Sequence, residues 1–169
     1  TFEILKKINF QNLTLPSLKH ITQAGGKLSK ELSIEFAKVL DKKKIKFFRM
    51  YGSTEATARM AYMPTNLNKK YPESIGIAIP GGTLWLQNNK KKKITSANVV
   101  GEIVYKGSNV CLGYSNSKKD LRKGDENKGI LLTGDLGIIN KNKLLFIIGR
   151  KKRFLKVFGL RVNLDELET

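Results

Sequence analysis

The sequence predicts an α/β protein in which a parallel βα portion is followed by a small antiparallel β-barrel. The first observation is that two strand-like segments in the first third of the chain flank one helical pattern, which is typical of βα units in a parallel sheet. The second is that the strand-like segments after Pro64 become short and closely spaced between glycines. That spacing favours a small antiparallel barrel or sandwich.

The parallel portion is predicted from a strand, a helix and a second strand. Residues 19–24 form the first strand, which stops at Gly25-Gly26, where the backbone needs unusual φ or close approach. Ser29 is suited to cap the following helix. The apolar residues that share one face of this helix at helical spacing are Leu32, Phe36, Val39 and Leu40. Residues 45–51 then form the second strand.

The antiparallel portion is predicted from four short apolar segments between glycines and polar turns. These segments are residues 83–87, 102–106, 131–132 and 144–148. Residues 88–93 are polar and basic, which indicates an exposed hairpin tip. Farther on, residues 154–157 and 160–162 flank Gly159 as a second hairpin, and Asn163 is suited to cap a helix that begins near Leu164.

The high positive charge of the chain is typical of nucleic-acid-binding proteins, but the distribution of the charged residues along the sequence does not favour that function. The 169 residues carry a formal net charge of +18, mostly from Lys spread through polar turns. No aromatic residues alternate with the Lys runs at 42–44 and 90–93, as base-stacking platforms would. A solvated basic surface is therefore the favoured interpretation, and a basic nucleic-acid-binding module is the least favoured alternative.

Compartment and chain extent are also predicted from composition. Cys111 is the single cysteine, so no internal disulfide forms, and no apolar run reaches the roughly 18 residues of a membrane span. A reducing cytoplasm is the expected location. Thr1 is not an initiator Met, and the end of the sequence at Leu167-Glu168-Thr169 interrupts an apparent helix start, so we expect a fragment that belongs with the rest of a parent polypeptide.

Three motifs stand in an order that suits one nucleotide site. The first is Tyr51-Gly52-Ser53-Thr54-Glu55, the second Thr133-Gly134-Asp135, and the third begins at Gly149-Arg150. A Tyr ring offers a flat face to a purine, a Thr hydroxyl can bond phosphate oxygens, and a Glu carboxylate is a hard ligand for magnesium. The motifs indicate a protein that handles ATP.

With these motifs, the chain resembles the AMP-forming adenylating superfamily of acyl-CoA synthetases, luciferases and peptide-synthetase adenylation domains. Further positions with the family's spacing are Gly101-Glu102, Gly107, Val110, Gly113-Tyr114, Lys156, Gly159, Arg161, Glu166 and Glu168. Residues 23–28, Gln-Ala-Gly-Gly-Lys-Leu, resemble the loop that lies under the adenine and the acyl group in these enzymes.

The resemblance implies a two-step reaction and a set of binding residues. A carboxylate attacks the α-phosphate of ATP, pyrophosphate leaves, and a thiol then displaces AMP from the acyl-adenylate. In this sequence, Asp135 would bind both ribose hydroxyls, and Arg150 would bind ribose or phosphate oxygens. The other residues implied for the nucleotide are Gly25, Gly26, Lys27, Tyr51, Gly52, Ser53 and Thr54.

The same resemblance implies the catalytic groups and cofactors. Thr54 would contact the α-phosphate, where charge develops, and Glu55 would hold Mg²⁺. No Gly-rich phosphate loop followed by Pro-Lys-Gly is present, and the lysine of the family's C-terminal lid is also missing. At the family's hinge this chain has Lys152, as some acyl-CoA-forming members do. CoA is therefore the expected co-substrate, with a carrier protein as the other possible thiol acceptor.

Three regions and several open alternatives follow. Residues 1–70 are assigned to the βα portion, 71–150 to the barrel, and 151–169 to the hinge and the start of the lid. The acid remains open among fatty, aryl and amino acids, and Arg59 pairs with a second carboxylate only if it faces inward. A non-catalytic nucleotide- or acyl-binding relic is the principal alternative to an active ligase.

Overall fold

The computed structural model describes residues 1–57, 59–151, 154–157 and 160–163. The helices in this part of the chain are α1 (Phe2–Lys7) and α2 (Lys30–Lys42), with 3₁₀ turns at Phe10–Asn12, Thr54–Ala56, Thr65–Leu67 and Asp120–Arg122. No helix in the described ranges is long and apolar enough to cross a membrane.

Among the described residues, nine strands form one mixed sheet, in the order β1-β2-β3-β4-β9-β8-β7-β5-β6. They are β1 (His20–Gln23), β2 (Lys46–Tyr51), β3 (Ala61–Tyr62), β4 (Ser74–Ala78), β5 (Thr83–Gln87), β6 (Lys93–Ile94), β7 (Gly101–Lys106), β8 (Ile130–Ile139) and β9 (Leu145–Arg150). Only β1 and β2 pair in parallel; the other neighbours are antiparallel. The α/β class is confirmed, but these strands form an open sheet, so the predicted closure into a barrel is not seen.

The predicted βα unit is present with its helix cap. The Ser29 hydroxyl accepts a hydrogen bond from the Leu32 amide at 3.2 Å, which satisfies one of the free N–H groups at the start of α2. The buried face of α2 packs on β2 in an apolar cluster, where the rings of Phe2 and Phe36 meet edge to face with centroids 4.8 Å apart. This packing fixes β2, which carries Tyr51 at its end.

The second half of the sheet has its own apolar interior. Leu86, Ile103 and Leu145 come from three different strands and are almost fully buried together. The four predicted strands correspond to β5, β7, β8 and β9, although β8 is longer than expected. The predicted hairpin tip is confirmed for residues 88–92, which are exposed, whereas Lys93 pairs with Gln87 as part of β6.

The elements not predicted from the sequence include β3, β4, β6 and α1. β3 has two residues, β4 carries a glycine, and the six residues of α1 are too few for a clear helical period. In β4, Gly76 has a φ of +83°, and a Cβ there would lie 2.0 Å from the Tyr62 carbonyl oxygen. β4 therefore depends on a close backbone contact with β3, which cannot be read from the sequence of β4 alone.

The C-terminal hairpin is confirmed in outline. β10 (Phe154–Val157) and β11 (Leu160–Asn163) pair antiparallel as a separate two-stranded sheet. The helix predicted near Leu164 lies outside the described residues. β3 pairs with β4, so the large sheet continues across position 70, and the division at 70 and 150 stays a prediction.

Candidate functional site

A cavity of about 310 Å³ brings together most of the residues predicted to bind a nucleotide. Its wall is lined by Gln23, Gly25, Gly26, Lys27, Leu28, Arg49, Met50, Tyr51, Gly52, Pro72, Glu73, Ser74, Ile75, Asp135, Ile147, Gly149 and Arg150. These residues come from the β1–α2 loop, the end of β2, β4, and the facing strands β8 and β9. Three predicted residues, Ser53, Thr54 and Glu55, are not part of this wall.

Asp135 reaches the cavity because β8 bulges at the Thr133-Gly134-Asp135 motif. Leu132 lies opposite Val104 and Leu136 opposite Glu102, so the three motif residues face a single residue of β7. Gly134 adopts a φ of +71°, and the Thr133 hydroxyl accepts a hydrogen bond from the Asp135 amide at 3.1 Å. A bulge of this kind re-aims a side chain.

The Asp135 carboxylate is buried and has a partner on each oxygen. Tyr51 donates its hydroxyl to Oδ2 at 2.5 Å, and Arg150 donates Nε–H to Oδ1 at 3.0 Å. Asp135 is 7% exposed, whereas the Arg150 side chain is 69% exposed. Each carboxylate oxygen accepts more than one hydrogen bond, so Asp135 retains capacity for hydroxyl donors in the cavity.

Tyr51 remains a donor over the neutral pH range. Burial raises the pKa of its phenol, and the adjacent negative charge of Asp135 raises it further. The neutral hydroxyl can therefore bond the carboxylate, and this bond fixes the ring in the cavity wall. The strand register explains the arrangement: Tyr51 ends β2, and Asp135 and Arg150 face each other on β8 and β9.

Another part of the cavity wall is backbone from the β1–α2 loop. Gly25 has a φ of +85°, a conformation that residues with a Cβ adopt rarely. A Cβ added at Gly25 or Gly26 would meet nothing within 4 Å, so the backbone here borders open space. Gln23 ties the loop to itself by donating its side-chain amide to the Gly26 carbonyl. The loop thus presents bare backbone and Lys27 to the cavity.

Thr54 and Glu55 lie on a short 3₁₀ turn beside the cavity. The turn follows Ser53, which is extended, and ends at Thr57, whose φ of +47° lies in the left-handed region. Thr54 is exposed and Glu55 is half-buried. Tyr114 donates its hydroxyl to Glu55 Oε1 at 2.6 Å, and this bond lowers the pKa of the carboxyl group.

The chemistry of Glu55 fits a magnesium ion that is also held by phosphates. Within the described ranges, no three His, Cys, Asp or Glu side chains come together as a metal cluster. Mg²⁺ in nucleotide enzymes is commonly held by one or two carboxylates together with substrate phosphates and water. A single ionised carboxylate is sufficient for that mode, and Tyr114 contacts only one of its two oxygens.

Comparisons with known proteins agree with this geometry. Residues 3–115 match the family model described as AMP-binding enzyme. The chain belongs to the AMP-binding enzyme family. This confirms the membership in the AMP-forming adenylating superfamily that the motifs predicted.

The relatives of this AMP-binding enzyme chain are considerably longer. A luciferin 4-monooxygenase of Luciola mingrelica is 30% identical over 167 residues, which cover 99% of this chain and 29% of the relative. A probable 4-coumarate–CoA ligase 2 of Dictyostelium discoideum is 30% identical over 154 residues, covering 91% of this chain and 27% of the relative. The chain therefore spans less than a third of the length of these curated relatives.

Solved structures show the same fold. The o-succinylbenzoate CoA synthetase of Bacillus subtilis, in complex with its acyl-adenylate intermediate, superposes with a TM-score of 0.80. The match is 22% identical and covers 99% of this chain and 33% of that chain. The mixed sheet of this AMP-binding enzyme chain is thus the adenylate-forming enzyme fold.

Arg49 is a cavity residue that sequence reasoning missed. It is 6% exposed, and its guanidinium donates to the Asn68 side-chain oxygen at 2.9 Å, to the Tyr71 carbonyl at 2.8 Å and to the Pro72 carbonyl. Burial lowers the pKa of Arg49 to about 10. The signal that could have revealed it is a charged residue between the apolar Phe48 and Met50, in the strand that leads to the Tyr51 motif.

Two other predicted residues have different positions. Arg59 is half-buried in the loop before β3, where its carbonyl oxygen accepts a hydrogen bond from Asn109 at 2.9 Å. Its proposed pairing with a second carboxylate stays a prediction. Lys152, the predicted hinge residue, lies outside the described residues.

Proposed function

We propose that this chain is part of an ATP-dependent, AMP-forming carboxylate ligase that activates a carboxylic acid as an acyl-adenylate and transfers the acyl group to CoA. Membership in the AMP-binding enzyme family supports the adenylating step. The CoA ligase named among the relatives supports CoA as the thiol acceptor. The acid itself stays open among fatty, aryl and amino acids.

The observation that carries the proposal is the buried Asp135 carboxylate in the cavity wall. Tyr51 and Arg150 hold it in place through one bond to each oxygen, and both oxygens keep acceptor capacity. Two neighbouring ribose hydroxyls are donors that suit two oxygens of one carboxylate. Hydrogen bonds to a charged acceptor are also stronger than those to a neutral one, which favours Asp here over an amide.

The remaining cavity residues would hold the base and the phosphates. We assign the adenine to the space between the Tyr51 ring and the backbone of Gly25 and Gly26, because both offer flat, close surfaces. Gly52 and Lys27 complete this wall. The exposed part of Arg150 would bond ribose or phosphate oxygens while its Nε stays on Asp135.

Thr54 and Glu55 are assigned to the reacting phosphate. A carboxylate oxygen of the acid attacks the α-phosphorus, and the bond between this phosphorus and the bridging oxygen breaks, so that pyrophosphate leaves. The thiol sulfur then attacks the acyl carbonyl carbon and displaces AMP. Thr54 would donate its hydroxyl to the α-phosphate, Ser53 would lie beside it, and Glu55 would bind Mg²⁺. A magnesium ion held there would neutralise phosphate charge during the displacement.

Other parts of the reaction are assigned to the parent polypeptide. Because the chain spans 29% of a curated relative, we propose that the phosphate loop and the lid lysine lie elsewhere in the complete protein. Residues 1–70 and 71–150 would build the nucleotide domain, and 151–169 the hinge at Lys152 and the start of the lid. A cytoplasmic location fits the single cysteine.

Pyrophosphate exchange tests this proposal. The complete polypeptide, incubated with labelled pyrophosphate, ATP, Mg²⁺ and a panel of fatty, aryl and amino acids, should return label to ATP with at least one acid. Adding CoA to that acid should then yield the thioester. A protein that binds AMP at Asp135 yet exchanges no label with any acid would instead be a non-catalytic nucleotide-binding relic.

A further inference from the structure

One side-chain amide holds both ends of the segment that follows Glu55. Asn109 lies in the loop after β7, and its Nδ2 donates to the Ala56 carbonyl at 2.7 Å and to the Arg59 carbonyl at 2.9 Å. Both acceptors are backbone atoms of the Thr54–Ala56 turn and of the loop that continues it. The amide therefore bridges two points of the chain that lie about 50 residues before it in sequence.

A buried tyrosine fixes the orientation of this amide. Tyr105 is fully buried, and its hydroxyl donates to Asn109 Oδ1 at 2.7 Å, so Nδ2 must point towards the turn. Two glycines leave room for this arrangement. A Cβ at Gly107 would lie 2.5 Å from the Tyr105 hydroxyl oxygen, and one at Gly82 would lie 2.6 Å from it. No larger residue fits at either position without displacing the tyrosine.

The same loop contacts Glu55 directly. The Cys111 amide donates to the Glu55 carbonyl at 2.7 Å, and the Tyr114 hydroxyl donates to Glu55 Oε1 at 2.6 Å. Val110 packs in an apolar cluster with Ala56, beneath these bonds. The loop thus binds the turn through its backbone, through its apolar side and through the carboxylate.

We propose that Asn109 is a positioning residue for the Thr54–Glu55 turn, and that Tyr114 orients the Glu55 carboxylate. This inference rests on the proposed function, in which Thr54 and Glu55 contact the α-phosphate and the metal. Neither Asn109 nor Tyr114 lines the cavity, so each acts on the reaction only through the turn. Misplacing a reacting group by about 1 Å can slow a reaction about 100-fold. The two bonds from Asn109 to the Ala56 and Arg59 carbonyls, which we call the clamp, are therefore expected to affect the rate of catalysis.

The first arm of the test measures the clamp itself in this chain. Asn109→Asp keeps the acceptor for Tyr105 but replaces the NH₂ group with an oxygen that repels the two carbonyls. Amide hydrogen exchange, followed by NMR, should become at least about tenfold faster at Ala56, Thr57 and Cys111. Tyr105→Phe, which frees the amide to rotate, should act in the same direction. Asn142→Asp makes the same chemical change on a remote turn and should leave these amides unchanged.

The second arm measures pyrophosphate exchange by the complete polypeptide. Asn109→Asp should lower kcat at least about tenfold, while the KM for ATP and the Kd for AMP change by less than about threefold. Tyr114→Phe should raise the Mg²⁺ concentration for half-maximal exchange several-fold, because Glu55 loses its orienting bond, and should leave AMP binding unaltered. Tyr114 is 68% exposed, so this variant tests the inference even if Asn109→Asp fails to fold.

The outcomes separate the inference from the proposed function. Unchanged amide exchange in Asn109→Asp and Tyr105→Phe would overturn the clamp. Faster amide exchange in the turn with an unchanged kcat would overturn the positioning role. A loss of AMP affinity as large as the loss of kcat would overturn it as well. If the wild type exchanges no label with any acid, the proposed function fails and the catalytic role falls with it, while amide exchange still decides whether Asn109 holds the turn.

Discussion

The two sides of the candidate site are built differently. On the side assigned to ribose, Asp135 is 7% exposed and is bonded by side chains from β2 and β9. On the side assigned to the reacting phosphate, Thr54 is exposed, and its turn is held from outside the cavity by the loop after β7. The first side is preorganised by the sheet itself, whereas the second depends on a remote loop.

This difference separates nucleotide affinity from catalysis. Groups fixed before binding lose little entropy when a ligand arrives, so the ribose side favours binding of the ground state. Catalysis requires groups that stabilise the transition state more than the ground state, and these are assigned to the turn and to the parent polypeptide. The comparison predicts that the two properties respond to different substitutions.

The largest expected effect concerns turnover by the 169-residue chain alone. We expect it to bind AMP weakly but to release no pyrophosphate from ATP, Mg²⁺ and any acid of the panel. The reason is that the residues proposed to bind the ribose lie in this chain, whereas its sequence shows no phosphate loop and no lid lysine. A pyrophosphate-release assay beside an AMP titration measures both properties. Robust turnover would show that the catalytic groups lie within this chain and not in the rest of the parent polypeptide.

Replacing Arg49 should lower the free energy of unfolding by more than the loss of any single ligand contact lowers binding. Arg49→Met keeps an unbranched, flexible side chain but leaves the side-chain oxygen of Asn68 and the carbonyls of Tyr71 and Pro72 without this donor. We expect a loss of about 3 kcal/mol in the free energy of unfolding, measured by urea denaturation. Arg122→Met, at an exposed position, is the control. A loss below about 0.5 kcal/mol would show that the buried bonds contribute little.

Asp135→Ala should weaken AMP binding by about 1.5–3 kcal/mol, because it removes charge-assisted hydrogen bonds to the ribose. Calorimetric titration measures this loss. Asp41→Ala removes an exposed aspartate whose partner is Lys69, far from the cavity wall, and should leave AMP affinity unchanged. Unaltered affinity in Asp135→Ala would refute the ribose assignment.

A smaller effect is expected at alkaline pH. Because the pKa of Tyr51 is raised, the folded protein keeps a proton that the unfolded chain releases, so the free energy of unfolding falls as the pH rises above about 10. Tyr51→Phe removes this contribution. Between pH 10 and 11, the free energy of unfolding of this variant should therefore fall by about 1 kcal/mol less than that of the wild type. Urea denaturation at both pH values measures the two slopes. Identical slopes would show that Tyr51 does not retain its proton.

The parts of the fold predicted from the sequence are those with local signals. The helix α2 has a cap at Ser29 and a regular apolar face, and both strands beside it end in a recognisable turn. The strand β4 was missed because its pairing depends on Gly76 lying against the Tyr62 backbone, a contact absent from local sequence. Closure into a barrel was inferred from the short spacing of the strands, which does not determine whether the two edge strands of a sheet pair.

The site was predictable in most of its residues but not in its bonding. The ordered motifs predicted that Tyr51 and Asp135 would lie together, and the structure brings them into one wall. Their hydrogen bond joins residues 84 positions apart, so it depends on the order of strands in the sheet. Asn109 was missed because nothing in the sequence indicates a role for its side-chain amide. Only its hydrogen bonds to the Ala56 and Arg59 carbonyls reveal that role.

The position of bound AMP tests the central claim most directly, namely that this chain carries a prebuilt ribose site at Asp135. A crystal structure of the complex with AMP should place both ribose hydroxyls within about 3.2 Å of the Asp135 carboxylate. The Tyr51 ring and the Gly25-Gly26 backbone should lie on opposite sides of the adenine. AMP bound elsewhere, or a ribose that faces away from Asp135, would contradict the account.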